Sequence, residues 1–245
     1  MRLNLSLVKC CALILAAALL AAAHGGAVVC GQAAAPKRGE ALMVVGSDGP
    51  NDSDNAIRAR LEGLGFGVQV VQDDRLKGKR ADGEALVFIS STVSSAKVGD
   101  TFRNVAVPVI VCEPNLFDDM GMTRDEASVD YGSKENTELA VLMPKDAMAA
   151  GLRGRLTVAT QDVALGWGLP AKSALKIAAP NHDAEEAYIF AYESGAKMIG
   201  LAAPARRVGM FLTDNVAVSL TDEGWRLFDA AVLWVAGKPQ AAPKK

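Results

Sequence analysis

Residues 41–45 form an unbroken apolar run, Ala-Leu-Met-Val-Val, that stops at Gly46-Ser47-Asp48-Gly49-Pro50. Such a run bounded by turn residues predicts a strand buried on both faces, with a turn at its carboxyl end. Ile57, Leu61 and Leu64 then recur at helical spacing, Ser53 or Asp54 is available as a cap and Gly65 as a stop, so a helix follows. Phe66, Val68 and Val70 alternate with Gly67 and Gln69, which predicts a second strand, and the runs at 85–89 and 107–111 predict a third and a fourth. The third leads into Ser90-Ser91-Thr92-Val93-Ser94-Ser95 and the fourth closes on Cys112-Glu113-Pro114-Asn115. Strands separated by short crossovers imply an α/β fold with a mainly parallel sheet covered by helices.

Downstream the pattern changes. Short apolar runs at 139–143, 155–160, 174–179, 187–193, 196–200 and 208–212 are separated by Gly, Pro and Asn, so a hairpin-rich insertion is expected within 130–205. Tyr188, Phe190 and Tyr192 alternate and meet a Ser194-Gly195 turn, the strongest hairpin signal of the chain. The clearest helix comes last: Thr221 can cap it, Asp222 and Glu223 complement the positive end of its dipole, Trp225, Phe228, Val232 and Val235 form one apolar stripe, and Gly237 and Pro239 end it. With no internal repeat and no linker rich enough to split it, 36–237 reads as a single α/β domain, followed by a disordered tail at 238–245.

The amino end is of another kind. Arg2 and Lys9 precede an uninterrupted small-apolar run from 10 to 23, followed by His24-Gly25-Gly26-Ala27 and then Ala33-Ala34-Ala35. This is the order of a secretory signal peptide, with cleavage between 23 and 35, and it places the mature chain in the periplasm or outside a bacterial cell. The run is shorter than the ~20 residues a spanning helix needs, so no stable membrane span is expected. Cys30 follows Val28 and Val29 and lacks the small residue that a lipidated cysteine requires.

Charge narrows the function. Arg2 and Lys9 are the only charged residues among the first 35, and the remainder carries 24 basic against 28 acidic residues, which argues against nucleic acid as a partner. Half of the chain is hydrophobic, enough for a sizeable core. Cys10 and Cys11 leave with the signal, Cys30 stays only if cleavage falls before it, and Cys112 remains, so no disulfide framework is available. Neither Cys112 nor His182 has a second ligand at metal-binding spacing, and no metal or cofactor is expected.

Residues 42–46, 107–111, 144–152 (Pro-Lys-Asp-Ala-Met-Ala-Ala-Gly-Leu) and 207–237 together resemble the ThuA-like, trehalose-utilisation branch of the class I glutamine amidotransferase-like fold, most closely in the final strand and Trp-bearing helix. The resemblance covers roughly 41–237 and is one of pattern order. It implies a flavodoxin-like sheet with an inserted hairpin region, and it implies no assigned activity. Amidotransferases of this fold set a cysteine on a sharp turn of the form Gly-x-Cys-x-Gly, where the thiolate meets backbone N–H donors. Here Cys112 stands in Val-Ile-Val-Cys-Glu-Pro, without flanking glycine and with Pro114 removing a donor, so it reads as a small apolar residue ending a buried strand.

Parallel sheets bind ligands beyond the carboxyl ends of their strands. The polar groups there are Ser47 and Asp48 after the first strand, Ser90, Ser91 and Thr92 after the third, and Glu113 after the fourth. Hydroxyls and carboxylates in such a rim suit a neutral sugar or polyol, whereas the same residue types also close turns and cap helices. Gly46-Ser47-Asp48-Gly49 is too short for a phosphate loop and lacks its lysine. His182 reads as a solvated loop residue, Asp73-Asp74 and Asp118-Asp119 as solvated turns, and Arg206-Arg207 as a solvated rim. Trp167, between two glycines, is either a core residue or a sugar-stacking platform. The expectation is an exported, non-catalytic module that binds a ligand or another exported protein. The alternative is a glycan-directed or nucleophilic hydrolase using Cys112 or a rim carboxylate.

Overall fold

A computed structural model describes residues 36–76 and 81–237, so the expected signal and leader at 1–35 and the tail at 238–245 lie outside the described residues. The first half gives β1 (Gly39–Val45), α1 (Asp52–Gly63), β2 (Phe66–Gln72), β3 (Leu86–Ile89), the single turn α2 (Ser95–Val98) and β4 (Val109–Val111). The second gives β5 (Tyr131–Asn136), β6 (Glu138–Val141), β7 (Gly154–Thr157), β8 (Val163–Gly168), β9 (Leu175–Ala179), β10 (Ile189–Tyr192), β11 (Arg207–Met210) and α3 (Asp222–Ala236).

Nine of these strands form one sheet in the order β2-β1-β3-β4-β11-β10-β9-β6-β7. From β2 to β11 they run parallel, with Val44 opposite Val71 and Ile89, and Val111 opposite Ile89 and Gly209. Beyond β11 the pairing is antiparallel, so the hairpin-rich insertion extends the same sheet. This is a flavodoxin-like, mixed α/β fold with few helices.

The apolar runs sort by parity, because successive strand residues point to opposite faces. Ala41, Met43 and Val45, with Phe88, Ile110 and Met210, pack under α1 and α3; Leu42, Val44, Val87, Ile89, Val109 and Val111 face the other side. That second side is covered by α2 and by turns carrying Phe102, Leu116, Phe117, Met120 and Met122. Each buried Val, Leu or Ile is worth about 1.5–3 kcal/mol, which accounts for the run 41–45 being apolar at every position.

Several local expectations change. The cap of α1 is Asn51, whose side chain accepts from the Asp54 N–H at 2.8 Å while the Asp54 carboxylate accepts from the Asn51 N–H at 3.2 Å; Ser53 and Asp54 lie inside the helix. Such a reciprocal box satisfies two N–H groups that a lone cap at Ser53 would leave open. The run 196–200 is not a strand but part of the loop joining β10 to β11, turned at Gly195, since both of those strands already have two neighbours. Arg207 is wholly buried: it donates to the carbonyls of Val105 at 2.6 Å and Val107 at 2.9 Å, capping the turn that precedes β4. Burial pulls its pKa down to about 10, so it remains charged at neutral pH. Thr221 caps α3 as expected, accepting from the Gly224 N–H at 3.2 Å. Among the described residues no helix is long and apolar enough to cross a membrane.

Candidate functional site

The carboxyl ends of β1, β3, β4 and β11 meet along one edge of the sheet, and the six rim residues named from the sequence all lie just beyond them. The structure divides these residues between a buried network and two depressions.

The network centres on Asp54, which is wholly buried. Its carboxylate accepts from Ser90 Oγ at 2.5 Å and from Thr92 Oγ1 at 3.1 Å, besides the Asn51 N–H. Burial pushes the Asp54 carboxyl above its ordinary 3.8 despite these donors, and the charge of Asp214 adds to the rise. Thr92 Oγ1 also accepts from the Gly46 N–H at 3.1 Å. A side chain at Gly46 would run into the Thr92 carbonyl, so glycine lets the loops after β1 and β3 touch. Ser90 and Thr92 thus tie α1 to the sheet edge, and Ser90 is buried beneath the rim.

Ser47, Asp48 and Thr92 border a depression of about 390 Å³ together with Asp73 and Lys97. Ser47 Oγ donates to Asp73 at 2.9 Å, Lys97 bonds Ser47 and lies 3.3 Å from Asp73, and the Ser94 N–H reaches Asp73 at 2.8 Å. Burial works to raise the Asp73 carboxyl, but the Ser94, Ser47 and Lys97 donors outweigh it and hold the group below 3.8. The solvated-turn reading of Asp73 is therefore corrected: it is buried because three donors converge on it.

Ser91 and Glu113 belong to a larger cleft of about 730 Å³. Ser91 Oγ donates to Asp214 at 2.9 Å, and Glu113 accepts from the Asn115 backbone at 2.9 Å and its amide at 2.5 Å. Burial raises the Glu113 carboxyl above its ordinary 4.5, and the charge of Asp214 adds to this. The facing wall is the antiparallel pair β5–β8, whose Ser133, Glu135 and Ala164 line the cleft. Because Gly166 and Gly168 share the face of Ser133 and Tyr131, this ribbon lies directly on the sheet edge: an added Cβ would stand 3.0 Å from Pro114 at Gly166, and 3.0–3.1 Å from Phe190, Thr123 and Phe117 at Gly168. Gln161, Asp162 and Asn215 also line the cleft.

Sequence reasoning missed Asp54, Asp214 and the ribbon. Asp214 had a usable signal, since it follows the run 208–212 just as Glu113 follows 107–111.

Other candidates separate from the edge. Cys112 is buried on the α1 and α3 side, and burial, with the charges of Asp54 and Glu113, pushes its thiol well above 9.0. His182 is exposed in the turn between β9 and β10, so the two form no dyad. Trp167 is a core residue at 5 % exposure, with the Lys134 ammonium 5.0 Å above its ring, and offers no open stacking face. Asp118 and Asp119 border a groove of about 320 Å³ with Arg103 and Arg124, away from the cleft.

No protein-family model matches the sequence, and no curated protein matches it. Solved structures do. A protein described as a candidate ThuA-like protein from Parabacteroides merdae is 14% identical with a TM-score of 0.55, over 85% of this chain and 94% of that one. A protein from Thermoplasma acidophilum, described as a candidate GMP synthase component, is 14% identical with a TM-score of 0.51, over 80% and 94%. A glutamine amidotransferase from Methylobacillus flagellatus aligns at 12% identity with a TM-score of 0.45, over 85% and 99%. At these identities what the first two share with this chain is the fold.

Proposed function

We propose that this chain is an exported binding module of glutamine amidotransferase-like fold, which holds a sugar or polyol in the cleft between the carboxyl edge of the sheet and the β5–β8 ribbon, and that it performs no amidotransfer. The observation that carries this reading is the contrast between the two sides of the edge. The cleft presents Ser91, Asn115, Ser133 and Gln161 as hydrogen-bonding groups, whereas the Cys112 thiol is buried and pushed toward its unreactive, protonated form. Polar groups on two facing walls suit a ligand rich in hydroxyls. The thiolate, and not the thiol, is the nucleophile.

Calorimetry of the exported chain against a glycan panel tests the proposal. A ligand of this cleft should lose about 1 kcal/mol per deleted hydrogen bond in Ser91→Ala and Glu113→Gln, roughly a fivefold loss of affinity in each. Unchanged affinity in both variants would mean that the rim only closes turns. Amino-terminal sequencing of the exported protein tests the export itself: a start between 24 and 36 is expected, and retention of Arg2 and Lys9 would refute it.

One observation favours a second reading. Glu113 is partly buried with a raised pKa, the kind of carboxyl that can protonate a glycosidic oxygen, and Asp214 in the same cleft is a second carboxylate that can assist water. Release of reducing ends from a glycan, abolished in Glu113→Gln, would select that reading over simple binding.

A further inference from the structure

The nine-stranded sheet ends differently at its two edges. At one end β7 is four residues long, and its Arg155 is bound to Glu138 on β6. At the other end β2 runs for seven residues, Phe-Gly-Val-Gln-Val-Val-Gln, with no charge and no proline. Its register against β1 is unbroken, and among the described residues β1 is its only strand partner. Charge, proline or a bulge is what ordinarily blunts an exposed edge, because unpaired backbone groups template association. The Val44 carbonyl accepts from the Ser90 N–H at 3.0 Å, so Val44 turns to β3 while Met43 and Val45 turn to β2. Met43 stands opposite Val70 and Val45 opposite Gln72, and in a parallel ladder they bond the residues flanking those partners, Gln69 and Val71. By alternation the N–H and C=O groups of Phe66, Val68, Val70 and Gln72 point away from the sheet.

We propose that β2 pairs with β2 of a second copy of this chain, antiparallel about a twofold axis at Gln69, so that two sheets become one. This inference is independent of the cleft and its ligand. Two observations choose a second copy. The first is that the edge matches itself: Val68-Gln69-Val70 reads the same in both directions. About that axis Val68 meets the partner's Val70 and Phe66 meets the partner's Gln72, so every outward N–H and C=O finds a mate. The second is charge. Ile57 and Leu61 of α1 face the sheet, while Ala56, Arg60 and Gly63 border a groove against Trp225 and Asp229 of α3. Helical spacing puts Arg58 and Glu62 on the opposite flank, both exposed. Because α1 packs on β2 and α3 on β4 and β11, that flank is the one overhanging the β2 edge. A twofold axis turns two α1 helices antiparallel to each other, bringing Arg58 toward the partner's Glu62 and Glu62 toward the partner's Arg58.

Light scattering during gel filtration of the exported chain, over a dilution series, tests the proposal. A mass twice that of the monomer is expected, falling to the monomer on dilution. Gln69→Lys sets two ammonium groups face to face at the axis and should weaken the dimer about tenfold or more. Arg58→Glu and Glu62→Arg should each weaken it, and the double variant, which restores opposite charges across the axis, should recover it. All three side chains are exposed, so folding is not the readout. A monomer at the highest soluble concentration would overturn the proposal. A dimer indifferent to Gln69→Lys would place the contact elsewhere and overturn it equally. Open-ended oligomers would mean that β2 pairs head-to-tail with another surface, against the twofold arrangement. Failure of the double variant to recover the dimer would remove the α1 contact.

Discussion

Asp54 sits wholly buried among hydroxyl and amide donors, and its carboxyl is raised because burial disfavours the charge more than Ser90, Asn51 and Thr92 favour it. A carboxyl whose folded pKa exceeds its unfolded value contributes stability below the unfolded value and loses that contribution as pH rises through the folded one. The difference in unfolding free energy between wild type and Asp54→Asn should therefore shift toward the variant as pH rises from about 4 toward neutrality, read from urea midpoints at each pH. A difference independent of pH would refute this. The hydroxyl run 90–92 was legible in the sequence as the end of a buried strand. Its partner was not, because helix capping and long-range docking both use Asp54, and only the first is local. Arg207 misled for a related reason: adjacent arginines read as solvated, yet the carbonyls of 105 and 107 that make burial tolerable are brought to it only by the pairing of β4 with β11.

At the scale of elements, β8 alternates Val163, Leu165 and Trp167 with Ala164, Gly166 and Gly168, a period of two that the sequence reading passed over because its second face is carried by alanine and glycine. Those glycines are small because the ribbon lies against Pro114, Phe117 and Phe190. Gly168→Val should cost about 1–3 kcal/mol by overpacking this contact and should weaken any ligand of the cleft by lifting its wall; urea unfolding and calorimetry read the two effects. A loss below about 0.5 kcal/mol would show that the ribbon is not seated as described. The partner strand β5, Tyr-Gly-Ser-Lys-Glu-Asn, was invisible to pattern reading, since four of its residues are polar and only Tyr131 is fully buried. By contrast α3 was legible from Thr221 to Gly237, because its cap, acidic first turn and apolar stripe are all local signals.

For the whole molecule, the parallel half was readable from apolar runs and turn residues, and so was the presence of hairpins after residue 130. That the hairpins continue the same sheet was not, because strand order is set by long-range pairing. Continuity through β11 leads to a definite expectation for the chain from 36 to 237: one cooperative transition, with far-ultraviolet dichroism coinciding with the fluorescence of Trp167 on β8 and of Trp225 and Trp234 on α3. Two separated transitions would refute a single domain. Of the described strands, β11 comes last in sequence, yet it stands in the middle of the sheet, between β4 and β10. While the chain is being synthesised, β4 therefore keeps an open edge until residues 207–210 emerge, and until then β10, β9, β6 and β7 can pair only among themselves. Contacts of such long sequence separation form slowly. Strand order thus makes residues 207–210 the seam at which the parallel and antiparallel halves become one sheet.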